Sequence, residues 1–235
     1  MRWMKRLAAG VLAAGMALTL LTACGGGGGA SVSNGVVVEP AGDMTEMTNV
    51  QGSTTYKLFS FTTTNRYEAQ LMKVKDVSNG EEDVLAENVN NCLQYVGTEK
   101  TGYLLRYYEP VSKIDHEKKT SESVSSVPVR LMMLVNLYYK MGALTKVESG
   151  RMKVNGTEYY AEVCTGDDTG GNPLEATYTF FYQEQEASRP TYIIIENIKN
   201  EGNKKIVFEV ESYEHTTSRS ESDEVWQKVN KLLTY

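Results

Sequence analysis

Histidine is nearly absent from this chain. Only His116 and His215 occur in 235 residues. An imidazole base or metal centre needs a positioned partner beside it, and neither histidine has a third partner at a telling spacing. His116, between Asp115 and Glu117, and His215, in a polar stretch expected to be a loop, read as surface residues. There is no Cys-x-x-Cys pair, which argues against a thiol redox site or zinc cluster. A Gly-x-Ser-x-Gly elbow, a phosphate-binding glycine loop and a positioned carboxylate pair are also missing. The segment "CTGDDTGGNP" (164–173) lacks the alternating ligands and closing Glu of a calcium loop, and reads as a polar hairpin loop. Positive charge is short as well: 24 Lys and Arg against 30 Asp and Glu give a formal charge of −6. Such a chain is a poor partner for nucleic acid, whose phosphates are held by clustered Lys and Arg. The sequence therefore offers no catalytic residue, resident metal or dissociable cofactor.

What is present begins at the N-terminus. Arg2, Lys5 and Arg6 precede an uncharged apolar run from Leu7 to Leu21. This pattern predicts a secretory signal peptide over residues 1–23. A bilayer span needs about 20 apolar residues, and this run is shorter. Leu21-Thr22-Ala23-Cys24 resembles the bacterial lipobox. The resemblance implies a diacylglyceryl group on the Cys24 thiol, cleavage before Cys24, and an extracytoplasmic protein held at the cell membrane by that residue. Two acyl chains give stable anchoring where one is marginal, each buried methylene contributing about 0.8 kcal/mol. Five glycines follow Cys24, and residues 24–52 are expected to form a flexible tether. Its reach is roughly 30 Å root-mean-square. Removing residues 1–23 takes away three basic residues and no acid, moving the formal charge to −9.

Residues 53–235 are expected to form one domain; about 180 residues suffice to bury a single core. Asn155-Gly156 marks a type I′ hairpin. A two-residue turn places Val154 opposite Thr157, Lys153 opposite Glu158, Met152 opposite Tyr159 and Arg151 opposite Tyr160. Val154, Met152, Tyr159, Ala161 and Val163 then share one face; Arg151, Lys153, Glu158, Tyr160, Glu162 and Cys164 share the other. Ala176, Tyr178, Phe180 and Tyr182 alternate along a further strand, as do Ile206, Phe208 and Val210. "TYIIIENI" (191–198) is apolar on both faces, so it should be covered on both sides. Gaps at 166–172 and 200–203 suit loops. Segments 54–63, 67–77, 83–89, 91–96 and 102–109 also read as strands, with Asn79-Gly80 a turn between two of them.

Two helices are expected. One runs from Pro128 to Gly142, with Leu131, Leu134, Val135, Tyr138 and Met141 in one stripe. The other is C-terminal, capped by Ser220 or Ser222, with Val225, Trp226, Val229, Leu232 and Leu233 on one face. Cys92 and Cys164 are either a disulfide or two half-buried thiols. The 15 tyrosines suit either packing or the lining of a cavity.

"YEPVSKIDHEKKT" (108–120) and "KVNGTEYYAEV" (153–163) resemble exported lipoproteins of Gram-positive, clostridia-like bacteria. Those chains are similar to the LolA-like lipoprotein-carrier superfamily, and the resemblance covers roughly residues 54–235. The Ser/Thr-rich stretch at 120–127 and the loop at 166–173 depart from the pattern. The resemblance implies an α+β fold: a strongly curved antiparallel half-barrel meander with one helix on its concave side and a C-terminal helix. It carries no catalytic residue. On that fold, Leu134, Tyr138, Met141, Tyr159, Ile193 and Ile195 are the candidate lining of a ligand cavity. The expected function is a membrane-anchored, non-catalytic binding module for a lipid or other apolar ligand. The alternative is a cell-envelope interaction protein whose core is filled by its own helices. The implied partners are the membrane, through Cys24, and a lipid or another envelope protein.

Overall fold

The computed structural model describes residues 31–33, 35–60, 65–88, 90–106, 109–125, 132–134, 137–142, 144–165, 176–198 and 204–232. Three strands come first: β1 (Ser31–Ser33), β2 (Val36–Pro40) and β3 (Thr45–Glu46). A short helix α1 (Thr54–Phe59) follows. Then come β4 (Ala69–Asp76), β5 (Glu82–Asn88), β6 (Cys92–Gly97), β7 (Thr101–Arg106), β8 (Ser112–Asp115) and β9 (Thr120–Ser123). After α2 (Leu137–Gly142), the strands β10 (Lys146–Val154), β11 (Thr157–Thr165), β12 (Thr177–Tyr182), β13 (Tyr192–Glu196) and β14 (Ile206–Thr216) lead into α3 (Arg219–Leu232).

The strands form one open antiparallel sheet, in the order β1-β2-β10-β11-β12-β13-β14-β4-β5-β6-β7-β8-β9, with β3 beside β10. Two meanders, β4–β9 and β10–β14, are thus joined edge to edge by β14 and β4. That join contains a register shift between Val210 and Ser212. Phe59 of α1 and Leu137 and Met141 of α2 pack with Met72, Leu85, Phe180, Ile193, Ile195 and Phe208 on one face of the sheet. On the opposite face, Val225 and Val229 of α3 cover Leu71, Ala86, Leu93, Leu104 and Ile114. The same face of the other meander carries Val154, Tyr159, Phe181, Ile194 and Val207, joined by Val38 of the neighbouring β2. Full burial of a Phe, Leu or Ile contributes about 1.5–3 kcal/mol, so the face under α1 and α2 is the larger source of stability.

The hairpin register is as read from the sequence, from Val154 opposite Thr157 to Arg151 opposite Tyr160. Asn155 and Gly156 have φ of 51° and 79°, as a type I′ turn requires. The strands expected at 67–77, 83–89, 91–96 and 102–109 are present as β4 to β7. Ile193 and Ile195 face α1 and α2 while Ile194 faces the other way, so β13 is buried on both sides.

Five expectations need correction. Residues 54–59 form α1, not a strand. Ser53 caps the helix by accepting from the Tyr56 N–H at 3.1 Å, and a distant carboxylate takes the two preceding N–H groups. The tether does not reach residue 52: β2 pairs with β10, and β3 lies against Glu148 and Ser149, because alternating valines at 36 and 38 find buried sites. Of the helix expected from Pro128, the described part is α2, with Met132–Leu134 outside regular α-helix; residues 126–131, 135 and 136 lie outside the described residues. The face bearing α2 therefore carries two helices instead of one. His215 ends a strand and is not in a loop. The C-terminal helix begins earlier than expected, at Arg219, because Ser218 caps it: its hydroxyl oxygen accepts from the Glu221 N–H at 3.4 Å and donates to the Glu221 carboxylate at 2.7 Å. The loop positions 166–172 and 200–203, Leu131, Val135 and Leu233 lie outside the described residues, as does the segment 1–30 with Cys24.

Candidate functional site

The candidate site is the apolar face beneath α1 and α2. Each of these helices has six residues. A helix that short is not stable alone in water, so its backbone must be held by the sheet. Its leading N–H groups have no intrahelical partner and must be satisfied from outside.

Two buried glutamates do this. On β11, Glu162 alternates with Tyr160 and Cys164 and points at α1. Its Oε1 accepts from the Thr54 N–H at 2.8 Å and its Oε2 from the Thr55 N–H at 2.7 Å. The Tyr160 hydroxyl donates to Oε1 at 3.0 Å. On β5, Glu87 points at α2. Its Oε1 accepts from the Leu137 N–H at 2.9 Å and its Oε2 from the Tyr138 N–H at 3.0 Å. Gln70 Nε2 donates to Oε2 at 2.8 Å and the Cys92 thiol to Oε1 at 3.2 Å. Both glutamates are fully buried. Their negative charge meets the positive end of a helix, a favourable arrangement. Burial nonetheless pushes the Glu87 carboxyl above the usual carboxylate value, although all four donors pull it down.

The other ends of these segments are pinned as well. Tyr213 on β14 donates toward the Leu58 carbonyl of α1 at 2.5 Å, and its hydroxyl lies 3.0 Å from Gln70 Oε1. Tyr178 donates to the Met133 carbonyl, just before α2, at 3.0 Å. The Thr55 and Tyr182 hydroxyls are 2.8 Å apart. Burial raises the phenols of Tyr182 and Tyr213, which keeps Tyr213 protonated as a donor.

Leu134, Met141, Ile193 and Ile195 come together in the core under α2, each with no exposed surface. Tyr138 is half-buried on α2. Tyr159 does not join them: it lies on the opposite face, edge-on to Phe181 and Tyr192. Strand alternation separates it from Tyr160, the neighbour that does face α1. Cys92 and Cys164 are not joined in a disulfide. They sit on β6 and β11, in different meanders, and both are fully or almost fully buried. Burial and the Glu162 charge push the Cys164 thiol up.

The histidines lie away from this face's core. His116 Nε2 is 3.1 Å from the Tyr95 hydroxyl, and His215 Nε2 is 2.9 Å from Glu68 Oε1. His215 borders an open groove of about 620 Å³ shared with Leu58, Tyr213 and Glu221. Among the described residues, no three His, Cys, Asp or Glu side chains are grouped to hold a metal. No described helix is long and apolar enough to cross a membrane.

No protein-family model matches this chain, and no curated protein matches it. The site must therefore be read from its own chemistry. Sequence reading missed Glu87, Glu162, Gln70 and Tyr213. A local signal existed for Glu162: an acid between two inward-facing residues, Tyr160 and Cys164, on an alternating strand.

Proposed function

We propose that this chain is an extracytoplasmic lipoprotein, anchored at the cell membrane through a diacylglyceryl group on Cys24. Its domain acts as a LolA-like, non-catalytic binding module for a lipid or other apolar molecule. In this reading residues 1–23 are a signal peptide, and residues 24–30 link the anchor to the folded part. The sheet is a curved half-barrel, and α1 and α2 form a lid on its concave face. One observation carries the reading: the apolar surface of Phe180, Ile193 and Ile195 is covered by two six-residue helices, each held at its N-terminus by a buried carboxylate. A cover made of short helices fastened to the sheet by a few polar contacts can leave without unfolding it, because local opening requires less free energy than global unfolding.

A second reading has its own support. Leu134 and Met141 are completely buried, as in a filled core. On that reading the helices are a permanent plug and the protein works through contacts with another envelope protein. Native mass spectrometry of the full chain, purified in mild detergent, separates the two. A retained lipid-sized mass on the polypeptide supports the binding module. A clean polypeptide mass that also takes up no N-phenyl-1-naphthylamine, a neutral apolar dye, overturns it.

A further inference from the structure

We propose that α1 and α2 open as one lid, coupled through the side chains of Glu87, Gln70 and Tyr213. The proposal rests on the reading of these helices as a lid and adds how the lid moves. The relay begins at α2, whose Tyr138 N–H donates to Glu87 Oε2 at 3.0 Å. Gln70 Nε2 donates to the same oxygen at 2.8 Å. The carboxylate can accept but not donate, which fixes the Gln70 amide with its Oε1 pointing the other way. There it meets the Tyr213 hydroxyl at 3.0 Å, and that hydroxyl is 2.5 Å from the Leu58 carbonyl of α1. Leu58 lies in the last turn of its helix, where a carbonyl has no intrahelical partner. One phenolic proton is thus shared between the C-terminal turn of α1 and the amide that supports the cap of α2.

The consequences are directional. Lifting α1 removes both the Leu58 carbonyl and the Phe59 ring that hold Tyr213 in place, so the donor that fixes Gln70 Oε1 is no longer positioned. Lifting α2 removes two donors from Glu87, leaving a buried carboxylate with Gln70 and Cys92 alone. Each departure changes the polar balance on which the other helix depends, and buried polar groups tolerate no half-satisfied state cheaply. Gln70 is completely buried, so water does not replace a lost partner without opening the site. The phenyl ring of Tyr213 has a separate role: it packs edge-on against Phe59 of α1, with ring centres 5.4 Å apart. Tyr213→Phe keeps that contact and removes the hydroxyl only, which makes Tyr213 a positioning residue whose two parts can be tested apart.

Hydrogen exchange by mass spectrometry on the full chain, without ligand, tests the coupling. In Tyr213→Phe the α1 amides should exchange faster by about tenfold, the effect of one orphaned buried group. The Leu137 and Tyr138 amides of α2 should accelerate with them, while Ile194 in β13 stays slow. Acceleration confined to α1 overturns the proposal, and so does equal acceleration of Ile194, since the opening would then belong to the whole fold. Glu162→Gln provides the second probe, because it loosens α1 from its other end and touches no member of the relay. Faster exchange at Leu137 in that variant supports one lid; unchanged exchange there overturns it. Uptake of N-phenyl-1-naphthylamine is scored separately. Joint opening without dye uptake refutes the binding module, while the exchange data still support the coupling.

Discussion

Glu87 and Glu162 perform the same task on the two halves of the sheet: each carboxylate accepts two consecutive backbone N–H groups from the start of a six-residue helix. Neither faces a lysine or arginine across these contacts. The negative charge is met by amide donors and by a helix end. Burying a carboxylate is costly unless its lone pairs are filled, and here they are filled largely by groups that would otherwise be orphaned themselves.

Removal of one such carboxylate should be expensive. Glu162→Ala leaves the Thr54 and Thr55 N–H groups without partners in a buried site, and should destabilise the domain by about 3 kcal/mol. Glu158→Ala on the same strand is the control. Its side chain is half-exposed and its nearest guanidinium nitrogen, on Arg151, is 3.9 Å away, so the loss should stay within about 0.5 kcal/mol. Urea denaturation of both variants checks the contrast; equal losses would contradict the capping role.

Glu87 should also leave a signature in the pH dependence of stability. Burial raises its carboxyl above the usual value in the folded state. A raised folded pKa means the native protein holds a proton that the unfolded chain releases near pH 4.3, to within about a unit. This contribution is therefore complete below about pH 4.3 and is lost as pH rises through the folded value. Glu87→Gln cannot titrate. Relative to the variant, the wild-type protein should lose stability as pH rises from about 4.3 through the folded value, by an amount read from denaturation curves on either side of it. A wild-type minus variant difference that is flat with pH would refute the assignment.

How much of this was legible in the sequence depends on how far apart the interacting residues lie. The β10–β11 hairpin could be registered residue by residue because Asn155 and Gly156 define it locally. The alternation of Ala176, Tyr178, Phe180 and Tyr182 identified one buried face for the same reason, and all four reach the core under α1 and α2. Helix α1 was misread because "TTYKLF" is rich in strand-forming residues, and its decisive partner, Glu162, lies 108 residues from Thr54. Glu87 lies 50 residues from Leu137. Propensity is a weak prior, and a tertiary cap of this kind overrides it. The tether was overextended because a run of only three valines, 36–38, does not announce a strand until β10 is available to pair with it.

The turn at 155–156 has a second duty that makes it testable. Asn155 Oδ1 accepts from the Val37 N–H at 2.9 Å, and the Asn155 N–H donates to the Val37 carbonyl at 2.8 Å. The hairpin tip thus holds β2 as well as its own strands. Gly156→Val forces a β-branched residue to positive φ and should cost about 1 kcal/mol or more. Asn155→Ala should cost about 1 kcal/mol and should in addition speed proteolysis before residue 40, because the side-chain acceptor for β2 is lost. Thermal melting and limited proteolysis together check the pair; unchanged cleavage in Asn155→Ala would place the hold on β2 elsewhere.

The anchor is tested independently of the fold. Cys24→Ala removes the thiol that the lipobox resemblance assigns to lipidation. The variant should accumulate as an uncut precursor lacking the diacylglyceryl mass, whereas the wild-type chain should partition into the detergent phase as a processed lipoprotein. A variant that is cleaved after residue 23 and still enters the detergent phase with an added lipid mass would refute the role of Cys24.

Leu134 decides between lid and plug. Its side chain is fully buried beside Met141, over a surface that includes Ile193 and Ile195. In a plug, Leu134→Ala leaves a cavity in the one cooperative core, and global stability should fall by about 2–5 kcal/mol. In a lid, the same truncation weakens docking of the α2 segment onto the sheet. The sheet itself retains the β4–β14 ladder, the α3 contacts and the opposite-face packing of Val154, Phe181 and Val207. The binding module therefore expects a modest shift of the main unfolding transition, with much faster hydrogen exchange confined to α2 and stronger uptake of N-phenyl-1-naphthylamine. Exchange and dye uptake read the local opening; urea denaturation reads the global loss. A loss of several kcal/mol with no gain in dye binding would identify the helices as a plug, and the protein's role would then have to be sought on its outer surface.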